Sequence, residues 1–148
     1  MSQVSKYPLR SEVYEQLEDL FMDTVSRMTN KRLINDFLSD FLTPTEKIVL
    51  MKRLGIFVLL GKGYGYRAVQ SILKVSYPTI STASKSYKYL GKGCKVIVDQ
   101  LIKEQKIEQF INSILVKITG ELSRSGKGSG AWKYLYQEIK KKKPGILK

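Results

Sequence analysis

Apolar residues along this chain recur at every third or fourth position instead of alternating, the spacing of amphipathic helices. In SEVYEQLEDLFMDTVSRM, Val13, Leu17, Leu20, Phe21, Val25 and Met28 share one helical face, with acids on the other. After a Thr29-Asn30 break, Leu33, Ile34, Phe37, Leu38 and Phe41 form a second stripe. Thr43-Pro44-Thr45-Glu46 is the clearest start signal in the sequence. The threonine caps, proline suits the first helical position, and the glutamate completes a reciprocal capping box. The helix it opens carries Ile48, Val49, Leu50, Leu54, Phe57, Val58 and Leu60. It is apolar on nearly all sides and is expected to be the central element.

Gly61, Gly63 and Gly65 in GKGYGY end that helix and turn the chain. A short helix follows in YRAVQSILK, with Val69, Ile72 and Leu73 inward, and then a tight connection at Val75-Ser76. The next helix begins near Pro78, a residue tolerated in a first turn, and ends at Gly91-Lys92-Gly93. From Lys95 to Leu122 the pattern predicts one long amphipathic helix, with Val98, Leu101, Ile102, Phe110, Ile111, Ile114, Leu115 and Ile118 on its apolar side. The expected organisation is all-α, about six helices. Residues 1–10 are a flexible start, 11–122 a helical domain, 123–130 (SRSGKGSG) a linker, and 131–148 a basic aromatic tail. No internal repeat is visible.

Composition narrows the chemistry. The 148 residues are 43% apolar, enough for a packed core. No run of eighteen apolar residues and no signal-peptide layout occurs, so no membrane association is expected. Cys94 is the only cysteine, which excludes an internal disulfide and fits a reducing cytoplasm. Histidine is absent altogether, which removes the commonest general base and metal ligand. Neither enzymatic activity nor a cofactor is expected. The GKGYG stretch lacks the spacing and the Lys-Ser/Thr ending of a phosphate loop, and no strand precedes it.

Charge is uneven. The net charge is +13, and between Lys47 and Val98 there are ten Lys and Arg residues and no acid. Eight acids lie between Glu12 and Glu46, and a second basic block spans Lys140 to Lys143. A positive face of this kind suits phosphate, although charge for solubility alone gives a similar composition.

KVSYPTISTASKSYKYL, rich in Ser, Thr and Lys, falls inside the acid-free window. Two short helices with a tight turn, the second of them polar, make a helix-turn-helix layout. Val69, Leu73, Val75, Ile80 and Ala83 take the inward places, leaving Tyr77, Thr79, Ser81, Thr82, Ser84 and Lys85 outside. A helix serving only stability would carry Glu, Ala and Lys there, because Ser and Thr are mediocre helix formers. A major groove, by contrast, accepts hydroxyls and methyls. Tyr77, Thr79, Ser81, Thr82 and Lys85 are therefore expected to read bases. Lys62, Arg67, Ser76, Ser84, Lys88 and Lys92 are expected to meet phosphates. The expected partner is thus double-stranded DNA, and the alternative is a nucleic-acid coating protein that ignores sequence.

The stretch FLTPTEKIVLMKRLGIFVLLGKGYGYRAVQSILKVSYPTISTASKSYKYL resembles the Trp-repressor-like superfamily, nearest to the branch called YerC/YecD. The likeness rests on the LTPTE cap, the Lys52-Arg53 pair, the LLGKG stop and the PTIS opening, with LINDFLSDFL upstream. It covers residues 18–93, and none is visible from Cys94 onward. It implies chains interlocked through their N-terminal helices, the dimer presenting two helix-turn-helix units to half-sites about one helical turn apart. Such a protein is a transcriptional repressor. The superfamily's tryptophan site implies a candidate effector pocket at Thr43 and Arg53. Thr82, however, stands where the recognition helix would carry an arginine, so the resemblance does not imply a tryptophan corepressor.

Overall fold

A computed structural model describes residues 7–90, 92–124 and 130–142. The described residues form helices joined by short connections, without a strand. In order the helices are α1 (Ser11–Ser26), α2 (Lys31–Phe41), α3 (Pro44–Gly61), α4 (Tyr66–Leu73), α5 (Tyr77–Lys85), α6 (Lys92–Lys103), α7 (Gln105–Arg124) and α8 (Gly130–Lys142). A π-helical turn, Ser86–Leu90, extends α5. Among the described residues no helix is long and apolar enough to cross a membrane. The chain forms two compact units, whose boundary falls within α3 between Leu50 and Met51. Residues 1–6 of the expected flexible start and 125–129 of the expected linker lie outside the described residues.

The N-terminal unit holds α1, α2 and the first turns of α3. Asn30 caps α2, its side chain accepting from the Leu33 N–H at 2.8 Å. The capping box of α3 forms as its spacing predicts. The Thr43 N–H donates to Glu46 Oε2 (2.9 Å) and the Glu46 N–H to Thr43 Oγ1 (3.3 Å). Lys47 Nζ donates to Ser39 Oγ at 2.8 Å, tying α3 to α2. Phe41 stacks between Phe21 and Phe37, with ring centroids 5.9 and 5.0 Å away. Neither α1 nor α2 buries a residue: Leu17, Leu20, Phe21, Leu33 and Phe41 all remain exposed.

The C-terminal unit contains the core. Ile56, Phe57, Val58 and Leu59 are buried consecutively, as befits a helix wrapped on every side. Around them pack Ala68 and Val69 of α4, Ile80 of α5, Val98 of α6, Ile111 and Leu115 of α7, and Leu135 and Ile139 of α8. The end of α3 is a Schellman motif. The Tyr64 N–H bonds to the Leu59 carbonyl and the Gly63 N–H to the Leu60 carbonyl, at 2.9 and 2.8 Å. Gly63 takes φ 77°, which a side chain would oppose. Gly61 lets α6 approach, since a Cβ there would lie 2.2 Å from Ile102 Cδ1.

One expectation changes. The long helix expected over residues 95–122 is two helices, α6 starting at Lys92 and α7 at Gln105. The break lies in Lys103-Glu104-Gln105-Lys106, where four polar residues offer nothing to bury. Tight turn bonds replace the helical ones there, Glu104 N–H to Leu101 O and Ile107 N–H to Glu104 O. The bend brings Val98 and Ile111 into the same core. Within the C-terminal segment, residues 130–142 form α8, which packs against α4 and α7 with Leu135 only 1% exposed, and 143–148 lie outside the described residues.

Candidate nucleic-acid interface

The motif is built from α4, a three-residue turn and α5. Lys74 ends α4 in the left-handed region (φ 51°, ψ 54°), a conformation that costs a non-glycine residue about 1–2 kcal/mol. The turn is held on both sides: the Lys74 N–H bonds to the Gln70 carbonyl, and Lys52 Nζ donates to the Lys74 carbonyl at 3.2 Å. Ser76 then caps α5, accepting from the Thr79 N–H, and the two hydroxyls lie 2.7 Å apart. Pro78 sits in the first turn, where its missing N–H costs nothing.

The buried face of α5 consists of Ile80, Ala83 and Ser84. Thr79, Thr82 and Lys85, each three residues from the last, form an exposed stripe on the other side, with Ser81 half-buried. Tyr77 is exposed at the helix start, and its ring leans on that of Tyr66 at 5.1 Å. The face expected to read bases is thus presented outward. Lys88 is exposed on the π-helical turn beyond it. That turn is anchored by Tyr87, whose ring stacks on Phe57 at 5.5 Å and whose hydroxyl donates to Asp99 at 3.1 Å. Burial and the Asp99 carboxylate push the Tyr87 hydroxyl above the usual tyrosine range.

Three residues expected at phosphates have other partners or places within the chain. Ser84 is 2% exposed and faces the core beside Ala83, one turn after Ile80. Lys62 is ion-paired with Glu108 of α7. The Ser76 hydroxyl is engaged in the α5 cap. Lys92 is exposed at the start of α6. Arg67 is exposed in the first turn of α4, its guanidinium 5.4 Å over the Tyr134 ring of α8. Of the expected effector residues, Thr43 is occupied in the α3 cap, where its hydroxyl also donates to Glu46 Oε2, and Arg53 is exposed on α3.

The acid-free window in sequence is not acid-free in space. Glu108 enters it at Lys62, and Glu138 at the Gly65 N–H, 2.9 Å away. The sequence marks Tyr134 only as one aromatic beside the lysines of the C-terminal segment, and Glu138 not at all. They stand one helical turn apart in the C-terminal segment, and their partners lie more than sixty residues away. The negative charge of Glu138 and burial raise the Tyr134 hydroxyl above the ordinary tyrosine range, against the nearby Arg67.

With this geometry in view, the comparison with known families decides the assignment. The family model described as "Trp repressor protein" matches residues 15–115. The chain belongs to the Trp repressor family. This is a family of helix-turn-helix DNA-binding regulators, not of enzymes, and α4 and α5 fall inside the match. The match runs past the stretch whose resemblance was legible by eye, taking in α6 and half of α7, and it leaves α8 outside. It identifies the family, not a branch within it. Searches of curated proteins and of solved structures found no match.

Proposed function

We propose that this Trp repressor family member is a cytoplasmic, homodimeric protein that binds double-stranded DNA in a sequence-specific manner and represses transcription. The observation that carries the reading is the Thr79, Thr82 and Lys85 stripe, exposed on a helix whose opposite face is fully buried. Threonine methyls and hydroxyls suit base edges, and a helix held by its buried face is rigid enough to place them. Tyr77 and Ser81 flank that stripe. Arg67, Lys85, Lys88 and Lys92, all exposed, supply charge for the backbone.

The dimer is supported by the N-terminal unit. Leu17, Leu20, Phe21, Leu33 and Phe41, together with Ile48, Val49 and Leu50, form more exposed apolar surface than a monomer usually tolerates. A second copy burying the same helices accounts for it. No tryptophan corepressor enters the proposal, given the threonine at position 82.

The test separates reading from holding. Thr82→Ala should relax sequence preference while leaving the salt dependence of binding unchanged. Lys88→Ala should weaken binding to all duplexes alike and reduce the log–log salt slope by about 0.9. Equal loss on every sequence for both variants would replace sequence-specific binding with a coating role.

A further inference from the structure

The N-terminal end of α4 is where a helix-turn-helix offers amide N–H groups to a DNA phosphate. In this chain an anion is already there. The Gly65 N–H, at the N-cap, donates to Glu138 Oε1 at 2.9 Å. The approach is close: a Cβ on Gly65 would lie 3.1 Å from the Tyr134 hydroxyl and 3.6 Å from Glu138 Oε1. Arg67, the cation of the same turn, lies over the Tyr134 ring. Both side chains come from α8, and α8 is fixed by Leu135 and Ile139, which are buried beside them.

A carboxylate and a phosphate ask for the same donors, and one N–H serves one anion at a time. We propose that Glu138 is an intramolecular competitor for the DNA phosphate at the start of α4, and that this one carboxylate lowers the affinity of the motif for the DNA backbone. The Glu138 charge repels an incoming phosphate even while Arg67 attracts it, and displacement of the side chain relieves both effects. The body of α8 stays docked, because its buried leucine and isoleucine are not part of the exchange. The inference rests on the DNA-binding reading above, and goes beyond it by giving a role to a helix outside the family match.

The experiment is a salt titration of binding to a mixed-sequence duplex, with the full chain. Glu138→Gln keeps an oxygen for the Gly65 N–H and removes the charge; Glu138→Ala removes both. Each should bind about 2- to 10-fold more tightly than the parent, alike on all sequences, with a salt slope steeper by up to about one. Unfolding midpoints are measured alongside. A variant that is no more stable, yet binds more tightly, supports competition, since a purely structural cap would move stability alone. If the parent binds duplex and neither variant binds more tightly, the competition is refuted and the DNA-binding reading stands. If neither parent nor variants bind duplex, that reading falls and the inference with it.

Discussion

Leu135→Ala tests whether α8 belongs to the fold. Leu135 is 1% exposed and packs in the same core as Val69 and Leu115. Truncation removes the transfer free energy of the lost carbons and leaves a cavity among helices already held by other contacts. Buried Leu→Ala changes cost about 2–5 kcal/mol in total. For a chain of this size, each kcal/mol moves the unfolding midpoint by roughly 2–4 °C. A drop of about 4–20 °C is therefore expected in thermal unfolding followed by circular dichroism. Gln137→Ala, exposed on the same helix, is the control and should stay within about 0.5 kcal/mol of the parent. If the two variants unfold at the same midpoint as the parent, α8 does not bury Leu135. Glu138 would then not be held at the start of α4.

Other predictions follow from the caps and anchors. Hydrogen bonds from Thr43 hold the Glu46 carboxyl below its ordinary value, so its contribution to stability is full above the unfolded carboxyl value and fades as pH falls through the folded one. Glu46→Gln should flatten that acid limb in a series of unfolding midpoints, and an unchanged limb would remove the box from the account. Tyr87→Phe keeps the stack on Phe57 but loses the bond to Asp99, at a cost of roughly 0.5–1.5 kcal/mol, towards the lower end because the hydroxyl is partly exposed. Since the Tyr87 hydroxyl is raised, its contribution is present below the unfolded tyrosine value and lost as pH rises. The variant should therefore show a shallower alkaline limb, and an equally steep one would assign that limb to other tyrosines.

What the sequence makes legible is local. The α3 cap needs residues only three apart, and the motif needs apolar side chains spaced along two adjacent helices, so both are visible in the order of residues. The inward place of Ser84 is only partly visible. It lies four residues after Ile80 and next to Ala83, which marks the buried face, but its hydroxyl argues for the surface. The fate of Lys62 is invisible, because Glu108 arrives from forty-six residues away. In the C-terminal segment Trp132, Leu135, Tyr136 and Ile139 stand at helical spacing. The run of lysines beside them reads as a solvated end, and it conceals a helix with one apolar face. The polar run at residues 103–106 permits the break at Glu104, but the apolar spacing on either side of it also satisfies one continuous helix, so the bend is not legible from the pattern.

The central claim is a dimer reading base sequence through α5. Its most direct test is selection from a random-sequence duplex library with the full chain at near-physiological salt, followed by sequencing of the retained DNA. Enrichment of a palindrome with half-sites about one helical turn apart is the predicted result. Strong retention without any enriched sequence would contradict it.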